Sequence, residues 1–116
     1  ARVAAIEVDP DAIGNAEENV VANGVSDRVV VIEGDAATLL PHVAPVRVIL
    51  ANIISSVLEG LLAPMRAALT ADGVAILSGL MVDERETFGS LLERDRWRVE
   101  EEEVEDTWWT VAVRPA

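Results

Sequence analysis

Arg2-Val3-Ala4-Ala5-Ile6-Glu7-Val8-Asp9-Pro10 begins as a compact aliphatic run, places an acid near its end and finishes on a helix-starting pair. Arg2 to Val8 reads as a buried strand. Aspartate suits an N-cap and proline the first helical position, so the chain turns into a helix at Asp9-Pro10. Ile13, Ala16, Val20 and Val21 give that helix an apolar face, and Asn23-Gly24 ends it. Val29 to Ile32 is a second buried strand, followed by Gly34-Asp35-Ala36 as a loop. Val46 to Ala51 is a third strand, read as fully buried because five of its six residues are apolar.

Further along, Ile53, Ile54, Val57, Leu58, Leu61, Leu62, Met65 and Leu69 form a helical stripe that Pro64 is expected to kink or divide. Asp72-Gly73 reads as a turn and Val74 to Leu77 as a fourth strand. Asp83 and Glu86 have capping-box spacing at the start of a helix that buries Val82, Phe88, Leu91 and Leu92. The tail changes character: Arg96 to Val104 and Thr107 to Val113, separated by Glu105-Asp106, read as two antiparallel strands. Short β-branched runs alternating with helical periods predict an α/β fold, a doubly wound and mostly parallel sheet closed by an antiparallel C-terminal hairpin.

Composition narrows the chemistry. The 116 residues are 51% hydrophobic, enough for a chain of this length to bury about two-thirds of its surface. There is no cysteine, and His42 is the only histidine. Disulfide scaffolds, thiolate metal sites and a multi-histidine metal site are therefore not expected. Twenty-one acids against nine bases, all arginine, give a net charge of −12. Such a chain is not expected to bind nucleic acid directly, and its field suits a basic protein partner. No apolar run approaches the ~20 residues that span a bilayer, so no membrane segment is expected.

Three polar groups fall at strand ends, where ligands of open α/β sheets bind. Glu7 can accept hydrogen bonds from both hydroxyls of a ribose; otherwise it is a solvated acid at a strand end. Asp35 can accept from an exocyclic amine while the Ala36 N–H donates to a ring nitrogen, together reading an adenine edge. The alternative is an ordinary Gly-Asp turn. Asn52 ends the third strand, either as a helix N-cap or as an acceptor for an amine. The expectation is that Glu7, Asp35 and Asn52 converge on one nucleoside. Adjacent Trp108 and Trp109 must point to opposite faces of a strand. Glu100 to Glu103 read chiefly as a solvated sheet edge.

Glu7-Val8-Asp9-Pro10, Asn15-Ala16-Glu17-Glu18-Asn19, Asn23-Gly24, Gly34-Asp35, Ala51-Asn52-Ile53, Leu77-Ser78-Gly79-Leu80 and the acidic-then-Trp tail at Glu105 to Trp109 resemble the ribosomal protein L-eleven methyltransferase family (PrmA-type) over nearly the whole chain. The resemblance implies a class I, Rossmann-like fold and a cytoplasmic S-adenosylmethionine (SAM)-dependent N-methyltransferase. Its substrate would be a basic ribosomal protein, methylated on lysine and α-amino groups. It also implies the ribose role for Glu7, the adenine role for Asp35 with Ala36, and the position beside the reacting amine for Asn52. Residues 1–116 would then be a single partial catalytic domain lacking the first strand and glycine-rich loop. That predicts little catalysis by the isolated chain, weak SAM binding, and possible self-association through open sheet edges. Other readings are another class I SAM enzyme acting on small molecules or glutamine, a non-catalytic interaction or dimerisation domain, and a nicotinamide-binding domain.

Overall fold

A computed structural model describes all residues, 1–116. In chain order the elements are β1 (Val3–Glu7), α1 (Pro10–Ala22), β2 (Val29–Glu33), α2 (Ala36–Val43), β3 (Val46–Asn52), α3 (Ser55–Ala68), β4 (Leu69–Met81), a short 3₁₀ turn at Val82–Glu84, α4 (Arg85–Arg94), β5 (Trp97–Glu105) and β6 (Trp108–Pro115). The chain divides into two compact units, Ala1–Val43 and Ala44–Ala116.

The first unit is a β-α-β-α segment. β1 and β2 pair in parallel from Val3↔Val29 to Glu7↔Glu33. Parallel neighbours need a crossover, and α1 supplies it. The Asp9 carboxylate accepts the Asp11 N–H at 2.9 Å, so Asp9 caps α1 with Pro10 behind it, as the sequence suggests. α1 ends at Asn23, and Gly24 takes φ +67. One element was not foreseen. Ala36, read as the end of a loop, and residues 37–43, to which the sequence reading assigned no element, form α2 despite Pro41 in its final turns. Asp35 makes this possible: its carboxylate accepts the Ala37 N–H and its carbonyl those of Thr38 and Leu39. Leu40 is the one buried side chain of this unit; Val3, Val8, Val21 and Val30 are exposed. The expectation of deeply buried first and second strands is therefore not met.

The second unit holds a four-stranded mixed sheet in the order β3-β4-β6-β5. β3 and β4 are parallel, connected through α3, while β4–β6 and β5–β6 are antiparallel. One face of the sheet, with Ala75, Leu77, Leu80, Trp109, Val111 and Val113, packs with Leu58, Leu62 and Met65 of α3 and Phe88 and Leu92 of α4 to form the core. Phe88 meets Trp109 edge-to-face at 6.3 Å. The other face is open: Val48 and Leu50 of β3 are 56% and 75% exposed, so β3 is not the fully buried strand its composition suggested. Side chains alternate along a strand, and here helices cover only one of the two faces.

Pro64 does not divide α3, which runs unbroken from Ser55 to Ala68. β4 begins at Leu69, earlier than the Asp72-Gly73 turn implied. The turn survives as an irregularity, since Leu69 pairs with Val46 and Val74 with Val48, so residues 70–73 bulge from the ladder. The Thr70 hydroxyl donates to the Asp72 carboxylate there, holding that carboxyl below its usual range. The start of α4 is also fixed differently. Glu84, rather than Asp83 with Glu86, reaches back to accept the Met81 N–H at 3.0 Å.

Candidate functional site

At the carboxyl end of the β1–β2 pair, the ladder extends one step beyond the strands, with the Gly34 N–H donating to the Glu7 carbonyl at 2.9 Å. Glu7 and the Gly34-Asp35-Ala36 segment are thereby held side by side. Glu7 Oε1 accepts the Asp9 N–H at 3.1 Å, and Oε2 has no partner in the chain. Asp35 divides its carboxylate in the same way: Oδ1 caps α2 and Oδ2 is free. Ala36 is the first residue of α2, so its N–H lacks an intrahelical acceptor and is available to a ligand. Gly34 has φ +153, and a Cβ there would come within 2.8 Å of Leu39 Cδ1. The glycine thus lets the backbone turn tightly between β2 and α2. Two free carboxylate oxygens beside a free N–H form a donor and acceptor set that suits the hydroxyls of a ribose and the edge of a purine.

The second unit carries Asn52, the last residue of β3, opposite Ser78 of β4. The capping alternative for Asn52 fails: the cap position of α3 is Ile54, with no side-chain hydrogen bond. The Asn52 amide is exposed and makes no hydrogen bond within the chain. Beside it β4 bulges, its register with β6 shifting between Leu77 and Leu80. Gly79 sits in the bulge at φ +83. A Cβ there would lie 2.8 Å from the Ile53 carbonyl oxygen, 2.9 Å from Asn52 Oδ1 and 2.9 Å from the Ile53 nitrogen. Only glycine lets β4 approach the Asn52-Ile53 backbone this closely. The Ile53 N–H donates to the Ser78 carbonyl at 3.1 Å, and this bond fixes the approach.

These residues floor an open groove of about 500 Å³. Its far wall comes from the hairpin, with Glu103, Glu105, Trp108 and Thr110. Trp108 is 53% exposed and Trp109 2%, the opposed pair expected from their adjacency. The sequence reading missed the two glutamates as part of this groove. Nothing in the acidic run of the sequence sets them apart from Glu100 and Glu102, which share the same spacing of two. It also missed the clamp in which the Ser55 hydroxyl donates to the Glu84 carboxylate, tying the start of α3 to the end of β4. That bond and the Met81 N–H hold the Glu84 carboxyl below its ordinary value.

A larger hollow of about 820 Å³ lies between α4 and β5, bordered by Arg85, Glu86, Trp97 and Glu102. It shares no residue with the Asn52 groove. No group of three or more His, Asp or Glu side chains is arranged to hold a metal ion. No helix is long and apolar enough to cross a membrane.

Comparison with known proteins places this arrangement. Residues 1–115 match the family described as Ribosomal protein L11 methyltransferase (PrmA). A protein of that name from Synechococcus sp. (strain RCC307) is 34% identical over 116 residues, covering 98% of this chain and 38% of the relative. Another, from Carboxydothermus hydrogenoformans, is 37% identical over 93 residues, covering 79% of this chain and 30% of the relative. The chain thus spans about a third of the length of these relatives. Among solved structures, a ribosomal protein L11 methylase from Lactobacillus delbrueckii subsp. bulgaricus superposes with a TM-score of 0.88 at 22% identity, covering 99% of this chain and 58% of that one. A precorrin-6y C5,15-methyltransferase from Geobacter metallireducens gives 0.80 at 18% identity, with 100% and 68% covered. At these identities the likeness speaks for the fold, which is the α/β class I methyltransferase fold. The match over residues 1–115 goes further than fold and makes this chain a member of the ribosomal protein L11 methyltransferase (PrmA) family.

Proposed function

We propose that residues 1–116 are part of one catalytic domain of a cytoplasmic SAM-dependent N-methyltransferase that acts on amino groups of a basic ribosomal protein. The first unit supplies nucleoside contacts, with Glu7 for the ribose and Asp35 with Ala36 for the adenine. The second unit supplies the face presented to the amine. The observation that carries this reading is Asn52: it ends a strand at a groove, caps no helix and keeps its amide free.

SAM supplies a methyl group on a sulfonium sulfur, which leaves as a neutral thioether when a nitrogen lone pair forms the new N–C bond. The donor set fits the cofactor, because the free oxygens of Glu7 and Asp35 and the Ala36 N–H match its ribose and adenine. The protein's task is mainly positioning, and effective molarity contributes several kcal/mol of such barriers, on the order of 7–11 in favourable cases. The attacking amine must be neutral, whereas a free lysine holds its proton until pH ~10.4. Asn52 Oδ1 cannot take up that proton, but it can accept an amine N–H and so orient the lone pair. Gly79 holds the strand against Asn52 and fixes where that oxygen lies. The proton shed by the amine goes to solvent through the open groove.

The test uses a full-length chimera in which this chain replaces the matching segment of the Synechococcus relative. Asn52→Ala should cut kcat by about a hundredfold, on the scale seen when one positioned polar contact to a reacting group is removed, and leave SAM affinity at the parent value. Equal losses of kcat and SAM affinity would contradict the role of Asn52.

A further inference from the structure

Glu84 lies half-buried in the 3₁₀ turn after β4, and both of its carboxylate oxygens are engaged by neutral donors. Oε1 accepts the Met81 N–H at 3.0 Å, and Oε2 accepts the hydroxyl of Ser55, 29 residues earlier in the chain. Neither Ser55 nor Glu84 lines the Asn52 groove, yet each is joined to residues that do. Ser55 directly follows Asn52-Ile53-Ile54, which floor the groove. Met81 is the cross-strand partner of Trp108, and the next N–H, that of Val82, donates to the Thr107 carbonyl at 2.8 Å. This end of β4 therefore carries the Trp108 wall. The Asn52–Ser55 segment is held at its start by the Ile53 N–H on the Ser78 carbonyl. At its end Ile54 caps α3 without a side-chain hydrogen bond, and the Ser55 hydroxyl on Glu84 is the anchor there.

We propose that Glu84 is a positioning residue for methyl transfer: it bridges the segment that carries Asn52 and the strand end that carries Trp108, and so sets the width of the groove in which the amine is oriented. The proposal rests on the reading of Asn52 as the group beside the amine. Glu84 stands outside the groove and acts only through its two attachments. A carboxylate suits the task, because hydrogen bonds to an ionised acceptor are shorter and stronger than neutral ones. Removing the side chain deprives the Ser55 hydroxyl and the Met81 N–H of their partner and frees the Asn52 segment at one end. A misplacement on the order of 1 Å can cost about a hundredfold in rate. With the Ile53 bond to Ser78 still in place, the loss should be smaller. The nucleoside contacts are assigned to the first unit, so the effect belongs in kcat and not in SAM affinity.

The experiment uses the full-length chimera with ribosomal protein L11 and saturating SAM. Glu84→Ala should lower kcat about tenfold and leave SAM affinity at the parent value. Ser55→Ala should do the same, and the double variant should lose no more than either single, because the two groups act through one bond. Glu84→Gln should retain most of kcat: its amide oxygen can take the Met81 N–H and its NH₂ can donate to the Ser55 oxygen. Leu62→Ala opens a cavity in the same helix without touching the bridge. Assayed where circular dichroism shows every variant folded, it should keep kcat near the parent value. In parallel, NMR of the chimera with nitrogen-labelled asparagine follows the Asn52 side-chain amide, whose signals should shift in Glu84→Ala and Ser55→Ala and return in Glu84→Gln. Unmoved Asn52 signals, additive losses from Glu84→Ala and Ser55→Ala, or a kcat loss in Leu62→Ala as large as that in Glu84→Ala would overturn the proposal. Shifted signals together with full activity in Asn52→Ala would leave the bridge standing and remove the reading of Asn52 instead.

Discussion

Replacing Gly79 by alanine should damage the second unit out of proportion to the single methyl group added. Its backbone lies at φ +83, a region that costs an ordinary residue about 1–2 kcal/mol. The new Cβ would also sit 2.8–2.9 Å from three atoms of Asn52 and Ile53. Two of those atoms are backbone, so relief requires β3 and β4 to separate at the point where the Ile53 N–H meets the Ser78 carbonyl. Forced overpacking of this kind costs roughly 1–3 kcal/mol. Against this, alanine restricts the unfolded chain and returns about 0.4–1 kcal/mol. The net is a loss of about 2–4 kcal/mol, which moves a urea midpoint by roughly 1–2 M at an m-value of about 2 kcal/mol/M. Gly60→Ala is the matched control. Gly60 lies inside α3, and a Cβ added there would meet nothing within 4 Å, so alanine should stabilise by about 0.5–1 kcal/mol. Urea unfolding of the 116-residue chain measures both. A Gly79→Ala midpoint within error of the parent, or a Gly60→Ala loss as large as that of Gly79→Ala, would refute the argument that close approach fixes the Asn52 position.

Two further outcomes follow from the packing and charge of the same unit. Because the folded Glu84 carboxyl titrates below its ordinary value of 4.5, its clamp on Ser55 and Met81 contributes stability that is full above that value and is lost as pH falls through the lower, folded one; the stability gap between parent and Glu84→Gln, followed by urea midpoints from neutral pH downward, should therefore narrow on the acid side, and a constant gap would count against the clamp. Leu62→Ala, at a fully buried position of α3, should cost about 2–5 kcal/mol, whereas Val57→Ala, at a position 47% exposed, should cost far less; similar losses would mean that the apolar stripe of α3 does not face the sheet as described.

Much of this architecture was legible because several local signals agreed. At Asp9-Pro10, cap and first-turn proline point to the same helix start, and the structure has it there. The alternation of Trp108 and Trp109 followed from strand geometry alone. What was hidden depends on contacts distant in sequence. α2 was missed because Pro41 near its end masks a helix that the Asp35 cap starts. β3 looked fully buried because composition records apolarity but not how many faces find a partner; Val48 and Leu50 face outward. Asn52 could be placed at a strand end, but its freedom from capping became visible only with the start of α3 in view. Glu103 and Glu105 were indistinguishable from Glu100 and Glu102 in the sequence. Only the positions of Arg85, Arg98 and Arg114 separate the neutralised acids from the free ones.

The central claim is that the carboxyl ends of β1 and β2 hold a nucleoside, and calorimetric titration of the full-length chimera with SAM tests it most directly. Glu7 and Glu33 end paired strands in the same register, so they make a matched pair of variants. Glu7→Ala removes the charged acceptor assigned to the ribose and should raise the Kd for SAM by about tenfold to a hundredfold, the equivalent of about 1.4–2.8 kcal/mol. Glu33→Ala should leave the Kd at the parent value. A parent-like Kd for Glu7→Ala, or equal weakening by the two variants, would contradict the account.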